Sequence, residues 1–455
     1  MYCANHGVFV SEAATGVVTP NQAGSGIPFV IGVAPLSSVD AADRATALVP
    51  VLATSYGEAE KCLGYSENWT DYGISEFMFH HFKLCAAQPV IFLPLTETIT
   101  TEKFSGDGTA KTFTVTASPK PLTIQKVTVS GTEVEVVSYD KSTGVITLKN
   151  APASGTDNVM AYYLTRPVAS DVASAVDKID LCMAMFGVIP DLIVAPGFSD
   201  NSTVAAAMAA KAGAINGIFK ARAIVDIEAA SYTAAITAKN GGSFDEEEII
   251  CWPCGKLGDK IIHGSTLEAG RIAMTDTDNS GVPYESPSNK TVSIDGLCTG
   301  DGTEIVLTLA QANILNAAGI NTFINFIGGW KAWGNVTGCY PSNTDVKDYL
   351  IPVARMFDWV GNSLIKTFWG KLDDPMNRRL IDTILDSANI WLNGLVGRGY
   401  LLGARVEMLD SENPLTNLMA GQIVLHVYLT PPSPAQEIDF ILEYDATYVQ
   451  AALQA

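Results

Sequence analysis

Short apolar runs alternate with helical patterns over much of the chain. A continuous apolar run from Ile27 to Val33 predicts a buried strand, a helix-like stretch covers Ile74 to Leu84, and a second strand follows from Pro89 to Leu95. The same order returns at Leu192–Ala195 and Ala223–Ile227, which an Ala-rich helical stretch separates. Alternating strands and helices predict a parallel or mixed sheet with helices on its faces.

The segment from about Thr98 to Arg166 has a different pattern. It consists of short runs rich in Thr and Val that alternate with period two, as in Ile124–Val129, and Gly-containing turns such as Gly106-Asp107-Gly108 interrupt it. We predict a small antiparallel β domain at 98-166. It is inserted into an α/β domain that occupies 27-97 and 167-287.

A last domain is predicted at 288-434. Its clearest helix has Asp374 as a predicted N-cap and Pro375 in the first turn, and apolar residues follow at helical spacing from Leu380 to Leu392. A strand follows over Gln422–Leu429, and the prolines between Pro431 and Pro434 end it. The predicted fold class is therefore α/β, or α+β counted over several domains.

Both ends of the chain carry a strand pattern set apart from its domain. One pattern lies at residues 1-26 and the other at 435-455; their predicted pairing residues are Gly7, Val8, Phe9, Val10, Ser11, Ile438, Phe440, Leu442 and Tyr444. An unpaired strand edge can pair with another chain, and alternate side chains then fill pockets on the neighbour. The residues alone leave open whether each strand instead completes the sheet of its own domain.

Length and charge narrow the classes of function. At 455 residues the chain is too long for one ordinary core, and its formal charge of −20 with no Lys/Arg-rich run argues against direct binding of nucleic acid. The N-terminus lacks the pattern of a secretory signal, and no apolar run is long enough to span a bilayer, so we expect assembly in the cytoplasm without membrane insertion. In that compartment the eight cysteines would be mostly buried thiols.

The sharpest enzymatic pattern is the pair Cys251 and Cys254, which two residues separate at the end of a predicted strand, Glu248–Cys251. Two such thiols can form a disulfide, so a cytosolic thiol-disulfide oxidoreductase is the alternative function. Gly255 and Gly258 predict a loop here, whereas that chemistry favours a helix N-terminus. A zinc site would need four ligands, and His263 is near but no second pair has suitable spacing. We predict no catalytic residue, cofactor or metal.

Several stretches resemble the sheath family of contractile phage tails, which also includes the sheaths of R-type bacteriocins and related injection systems. Those stretches are His6–Val10, Ser25–Val30, Asp276–Asn289, Arg378–Ile384, Trp391–Gly394, Asn413–Gly421 and Pro431–Ile438. They cover both ends and the middle of the chain, and the β insertion is its least typical part.

The resemblance implies a structural subunit, not an enzyme, that stacks as hexameric rings into a helical sleeve around an inner tail tube. It implies that both arms add strands to the sheets of neighbouring subunits, and that the tethers Gly16–Gly26 and Pro431–Pro434 absorb changes in geometry during contraction. Implied partners are further copies of the chain, the tube protein, and baseplate and terminator proteins, in a virion tail or bacteriocin particle.

The resemblance also places the C-terminal domain against the tube. Basic side chains that could meet an acidic tube there are Lys366, Lys371, Arg378 and Arg379. The alternative is that these residues lie on a solvated helix start or pair with Asp373 and Asp374 of the same chain.

Overall fold

The computed structural model describes residues 18–118, 120–121 and 123–453. Its first elements are strands β1 (Pro28–Val33) and β2 (Val51–Ala53), helices α1 (Tyr56–Leu63) and α2 (Gly73–Met78), and strand β3 (Val90–Leu95). One turn of π-helix, Phe79–Leu84, extends α2. The N-terminal pairing residues predicted above, Gly7 to Ser11, lie outside the described residues.

The β-rich segment that follows forms two antiparallel sheets. Its strands are β4 (Thr98–Gly106), β5 (Thr112–Thr114), β6 (Ile124–Val129), β7 (Thr132–Val134), β8 (Val136–Asp140), β9 (Val145–Leu148) and β10 (Gly155–Thr165). The order of one sheet is β4-β10-β6-β7 and that of the other is β5-β9-β8. Both sheets bury apolar side chains such as Phe113, Val127 and Ile146 in a core of their own.

Helices and strands then alternate up to Cys251. These elements are α3 (Ala169–Ala175), α4 (Leu181–Phe186), β11 (Leu192–Val194), α5 (Ser202–Ala212), β12 (Arg222–Asp226), α6 (Tyr232–Gly241) and β13 (Glu248–Cys251). Next come β14 (Cys254–Leu257), β15 (Lys260–Ile262), α7 (Gly264–Asp278), β16 (Gly296–Cys298), β17 (Glu304–Ile305), α8 (Leu309–Ala317), β18 (Thr322–Phe326) and β19 (Gly329–Trp333).

The C-terminal part is mainly helical. Its elements are α9 (Val346–Tyr349), α10 (Ile351–Phe368), α11 (Arg378–Gly397), β20 (Gly403–Glu407), α12 (Leu415–Met419), β21 (His426–Thr430) and α13 (Ala446–Leu453). Trp359 of α10 packs against Trp391 of α11 with the ring centroids 5.8 Å apart. These two helices and the β20–β21 pair enclose a separate apolar core.

The central sheet has the strand order β13-β12-β11-β1-β3-β2. All neighbouring strands are parallel except β2, which runs antiparallel to β3. Phe29 and Ile31 of β1 are buried in the core on one face, and Val30 is buried in the core on the other. Burial on both faces explains why β1 has no polar alternation in the sequence. The predicted α/β, multidomain fold class is confirmed.

One predicted boundary disagrees with the sheets. The division between 287 and 288 falls inside the four-stranded sheet β15-β14-β16-β17, because β14 pairs with β16. Leu267 and Ile294, from either side of that division, share one apolar core. A domain cannot be divided through a hydrogen-bonded sheet, so the division is misplaced at this point.

The predicted start of the long C-terminal helix is also wrong. The helix begins at Arg378, and Asn377 is its N-cap, whose side chain accepts a hydrogen bond from the Leu380 N–H at 3.0 Å. Asp374 and Pro375 lie in the exposed connection from α10. Both Asp-Pro and Asn are common helix-start signals, and the cap formed at the one nearer to the apolar repeat.

Candidate assembly surfaces

The C-terminal arm has almost no contact with its own chain. After β21, Pro431 is buried and the Gln436 side chain donates to Asn335 Oδ1 at 2.8 Å. Beyond that point the predicted pairing residues are exposed by 69% (Ile438), 85% (Phe440), 94% (Leu442) and 80% (Tyr444). No helix or strand is formed between residues 431 and 445. The predicted strand is therefore not paired within the described chain, and its pairing with a neighbour stays a prediction.

The nearest acceptor for an added strand in sequence is the two-stranded sheet β20–β21. Its strands are antiparallel, with Gly403 opposite Thr430 and Glu407 opposite His426. Among the described residues this sheet contains these two strands only. A two-stranded sheet is marginal in water unless a helix or further strands cover it, and α11 covers one face here.

Two asparagine side chains bind backbone beside this sheet. Asn389 of α11 donates to the Val406 carbonyl at 3.0 Å and accepts from the Val406 N–H at 2.9 Å. Asn413 makes the same pair of bonds with Val424, both at 2.9 Å. Because both backbone groups of Val406 are already bonded, that position of β20 is closed to another strand. Neither amide contact is indicated by the sequence around it.

Three of the four basic residues have bonding partners within the chain. Lys366 lies on α10 and donates to the Gln22 carbonyl at 3.2 Å, and burial lowers its pKa. Lys371 pairs with Asp374 at 3.3 Å, and Arg378 pairs with Asp382 at 2.9 Å. Arg379 is exposed on the first turn of α11. Intramolecular pairing thus accounts for three of the four, while their contact with a tube stays a prediction.

Lys371 is one of the residues that line an open cleft. Its volume is about 320 Å³, and its lining is mainly apolar, with Phe368, Leu372, Ile384 and Leu425 among the contributors. Leu372 and Met376 line it and expose large apolar surface, and Trp369 in the same connection between α10 and α11 is also exposed. The sequence predicts the start of a helix in this connection and does not indicate the exposed apolar surface.

A buried ion network lies between the central sheet and α10. One Arg355 nitrogen is 2.6 Å from an Asp191 carboxylate oxygen, and its guanidinium also binds the Asp276 carboxylate. Burial raises the pKa of Asp191 even though Arg355 opposes that change. Asp191 in turn accepts hydrogen bonds from the Gly26 and Ile27 N–H groups at 3.1 and 2.7 Å. The network thus connects three distant segments at the start of β1.

Cys251 and Cys254 are not placed for dithiol chemistry. Both are free buried thiols, at the end of β13 and the start of β14, and no helix begins between them. Burial raises the pKa of each thiol well above its ordinary value, and nearby carboxylates, Glu268 for Cys251 and Asp226 for both, raise it further. A reactive dithiol needs a lowered pKa and access to solvent.

His263 is held in a polar cluster near that pair. Its Nδ1 is 2.7 Å from a carboxylate oxygen of Glu76, and its backbone N–H donates to the other oxygen at 2.8 Å. Asp226 accepts from Ser199 Oγ at 2.8 Å and from the Ser265 N–H at 2.7 Å. Within 18–453, apart from the two undescribed positions, no group of three or more His, Cys, Asp or Glu side chains is arranged to hold a metal ion.

None of the described helices is both long enough and apolar enough to span a bilayer.

These features together describe a multidomain α/β protein with an exposed arm. Comparison with known proteins gives no matching family model. The tail sheath protein of Burkholderia phage BcepMu is 25% identical over 304 residues, which are 63% of this chain and 63% of that protein. A putative prophage major tail sheath protein of Pseudomonas aeruginosa (strain UCBPP-PA14) is 25% identical over 320 residues, or 67% of this chain and 78% of that protein.

The fold has a solved counterpart. The helical sheath of the anti-feeding prophage in its contracted state matches with a TM-score of 0.62 at 16% identity, over 98% of this chain and 100% of that chain. At this identity the likeness concerns the fold. The sequence relatives and the shared fold together confirm the resemblance to contractile tail sheath proteins.

Proposed function

We propose that this chain is the structural subunit of a contractile sheath. Copies stack as hexameric rings into a helical sleeve around an inner tube, and contraction of the sleeve drives the tube through a cell envelope. The observation that carries the proposal is the match of nearly the whole fold to a contracted sheath, with tail sheath proteins as the sequence relatives.

The exposed arm supplies the link between subunits. An isolated subunit keeps Phe440 and Leu442 in water at a cost of about 1.5–3 kcal/mol each relative to burial. Pairing with a neighbour would bury both side chains and would satisfy the backbone groups of the arm. One arm then stabilises the contact between two subunits only modestly, but many such arms together stabilise the lattice strongly.

The receiving surface is the sheet β20–β21. The Asn389 side chain already bonds the N–H and the carbonyl of Val406 in β20. The edge of β21 is therefore more accessible to an added strand. The adjoining apolar cleft offers space for side chains from a neighbour. Contraction then consists of rigid-body rotation of subunits that remain connected through their arms.

The remaining partners are those that the proposed sheath function requires. The tube would contact the C-terminal domain near Arg379, and baseplate and terminator proteins would bind the ends of the sleeve. Assembly in the cytoplasm of a bacterial host, in a virion tail or a bacteriocin particle, agrees with the expectations drawn from the sequence. The function is structural and not enzymatic, and the buried thiols Cys251 and Cys254 give no support to the oxidoreductase alternative.

Negative-stain electron microscopy over a concentration series tests the proposal. We expect hollow, striated cylinders from the full chain and dispersed particles from a variant truncated after Pro434. A matched truncation after Asp445 removes α13 but keeps the arm, so it should still form cylinders. Dispersed particles from the full chain at every concentration would contradict self-assembly.

Two point variants test which face of the arm is inserted. Phe440→Ser changes the predicted inward face, while Ile441→Ser changes the opposite face at a residue that is equally exposed in the single chain. We expect Phe440→Ser to raise the concentration needed for cylinders by about tenfold, which corresponds to 1.4 kcal/mol. The Ile441→Ser variant should change it little, and equal effects would contradict pairing in this register.

A further inference from the structure

The segment Val18–Ile27 lies along the C-terminal helices and is bonded to them. The Val18 N–H donates to Ser387 Oγ of α11 at 2.9 Å, and the Asn21 N–H donates to Thr367 Oγ1 of α10 at 2.9 Å. The Ala23 N–H donates to Ser363 Oγ at 2.9 Å. We call Val18–Ile27 the strap. It occupies most of the stretch that the sequence predicted to be an adaptable tether.

The strap follows one face of α10. Four of its partners on that helix, Arg355, Trp359, Ser363 and Thr367, are spaced by four residues and therefore share a face, and Lys366 is a fifth partner. The Trp359 indole donates to the Ala23 carbonyl at 3.0 Å, and the Ala23 side chain is buried in the core of the C-terminal helices. The sequence contains this spacing, but its partners lie more than 300 residues away.

The strap is clamped where it enters the central sheet. Ser25 Oγ donates to Asp276, and an Arg355 nitrogen lies 3.3 Å from the same hydroxyl. Gly26 has a φ of +68°, and a Cβ atom there would lie 2.9 Å from the Ala273 Cα. Only glycine fits this conformation and this close approach to α7. The clamp therefore joins the strap to β1, α7 and α10 at one buried point.

We propose that the strap is a fixed anchor of the N-terminal arm, and that it stays bonded to α10 and α11 when the sheath contracts. Arg355 is its positioning residue. Force on the arm passes through the strap into the C-terminal helices and the central sheet, so that one subunit rotates as a single body. The proposal rests on the sheath function proposed above, and it replaces the adaptable tether expected for Gly16–Gly26.

The observed contacts favour an anchor over a tether. A tether that changes shape needs backbone groups that water can satisfy in every geometry. The strap instead bonds its backbone to six side chains, those of Asp191, Trp359, Ser363, Lys366, Thr367 and Ser387. Releasing it would leave the buried Trp359 indole and the Asp191 carboxylate without these partners, which is unfavourable in a dry environment.

A reversible disulfide tests the anchor. Asn21→Cys with Thr367→Cys introduces thiols at two residues whose backbone nitrogen and side-chain oxygen are now 2.9 Å apart. A disulfide forms only where the two Cβ atoms lie about 3.5–4.5 Å apart, so the loss of both introduced thiols on oxidation is measured first. We expect the oxidised variant to assemble and contract as the reduced variant does, in electron micrographs of sheath polymerised on its tube. Oxidised subunits that fail to assemble or to contract, while reduced ones succeed, would overturn the proposal. Wild-type protein taken through the same oxidation is the control for the natural cysteines.

Hydrogen exchange gives an independent measurement on the wild-type chain. The amides of Val18, Asn21, Ala23, Gly26 and Ile27 should exchange at least 100-fold more slowly than those of Ile438–Tyr444, in the free subunit and in the contracted sheath alike. Loss of this protection in either state would overturn the anchor. If the wild type forms no cylinders, the sheath function fails, and strap protection in the free subunit still decides whether the segment is anchored.

Discussion

Arg222 in β12 and Asp358 in α10 form a buried ion pair, with the Arg222 Nε atom 2.6 Å from an Asp358 carboxylate oxygen. Both side chains are at most 9% exposed. A second guanidinium nitrogen of Arg222 donates to the carbonyl of Glu246, and a third reaches that of Ala354 at 3.4 Å. The pair connects the central sheet to the C-terminal helices, beside the Asp191–Arg355 network.

Removing one partner of this pair should be costly. Arg222→Met leaves the Asp358 carboxylate buried without its cation, so we expect a loss of about 3–5 kcal/mol in the free energy of unfolding. Chemical denaturation of the dispersed subunit measures it. The double variant Arg222→Met with Asp358→Leu should lose less than the single one, because it leaves no unpaired charge.

An exposed pair, Lys149 with Glu135, is the control, and its removal should cost at most about 1 kcal/mol. A single Arg222 variant as stable as the wild type would contradict this account.

A second prediction concerns stability at alkaline pH. Burial is the largest single influence and lowers the pKa of His263, but Glu76, Asp226 and Asp200 together outweigh it and raise that pKa to about 9. The folded state then binds a proton that the unfolded chain loses near pH 6.5, so this contribution is full below pH 6.5 and disappears as the pH rises through 9. Its size is on the order of 3 kcal/mol. Denaturation midpoints measured between pH 6 and 10 should therefore decrease as the pH rises from 6.5 through 9.

The variant Glu76→Gln tests whether the Glu76–His263 pair causes this loss of stability at alkaline pH. It keeps a hydrogen-bond acceptor for the His263 backbone but removes the charge, so the decline between pH 6.5 and 9 should become shallower. Glu412→Gln is a matched control, since Glu412 binds His426 at 2.8 Å in a more exposed place. A decline that is equally steep in Glu76→Gln would refute the assignment to His263.

The chain also contains histidines that act in the opposite direction. Burial lowers the pKa of His80 to about 4, and burial together with His80 lowers that of His81 to about 3. Below pH 6.5 the unfolded chain binds protons that these imidazoles do not, so the folded state loses stability as the pH falls towards 3. Replacing His81, whose ring stacks on Phe77 at 5.0 Å, by Phe should reduce the acid-induced loss. Acid titration followed by circular dichroism measures it, and an unchanged acid midpoint would contradict the prediction.

Thiol reactivity distinguishes the proposed structural function from the alternative of a thiol-disulfide oxidoreductase. Cys251 and Cys254 are buried with raised pKa values, so Ellman's reagent should leave them unmodified in the native subunit and modify them once denaturant is added. The variant Cys251→Ala with Cys254→Ala should form cylinders at the wild-type concentration. Cys62, which is only half-buried, serves as the native-state comparison. Rapid native modification of Cys251 would revive the redox function.

Local patterns predicted the fold class well. The strand Glu248–Cys251 was predicted with its observed bounds, and β1 and β3 each begin one residue later than predicted. Continuous apolar runs identify such strands because both faces of the central sheet are covered. By contrast, the region Val172–Phe186 has one helical pattern, but the chain forms two short α-helices separated by a 3₁₀ segment. Periodicity does not reveal such breaks.

Contacts between distant segments could not be predicted from the sequence. Nothing near Asn389 or Asn413 indicates that its amide will bind the backbone of a strand. The clamp of Ser25 by Asp276 and Arg355 joins residues up to 330 positions apart. A spacing of four along α10 does suggest one functional face, yet it cannot identify what that face binds. The arm from Ile438 to Tyr444 has the pattern of a strand, but a strand forms only when another edge is present.

The last prediction concerns the tube. Asp374 and Asp382 already pair with Lys371 and Arg378, whereas Arg379 is exposed and has no ion pair among the described residues, so it should matter most. We expect Arg379→Glu to weaken binding of the tube by up to about fivefold per subunit at low salt, because exposed ion pairs contribute about 0.2–1 kcal/mol. The effect should diminish at high salt, since salt screens exposed charges. Co-sedimentation with purified tubes measures it, and Lys111→Glu in the β insertion is the control. If Arg379→Glu and Lys111→Glu bind tubes equally well, the tube lies against a different surface.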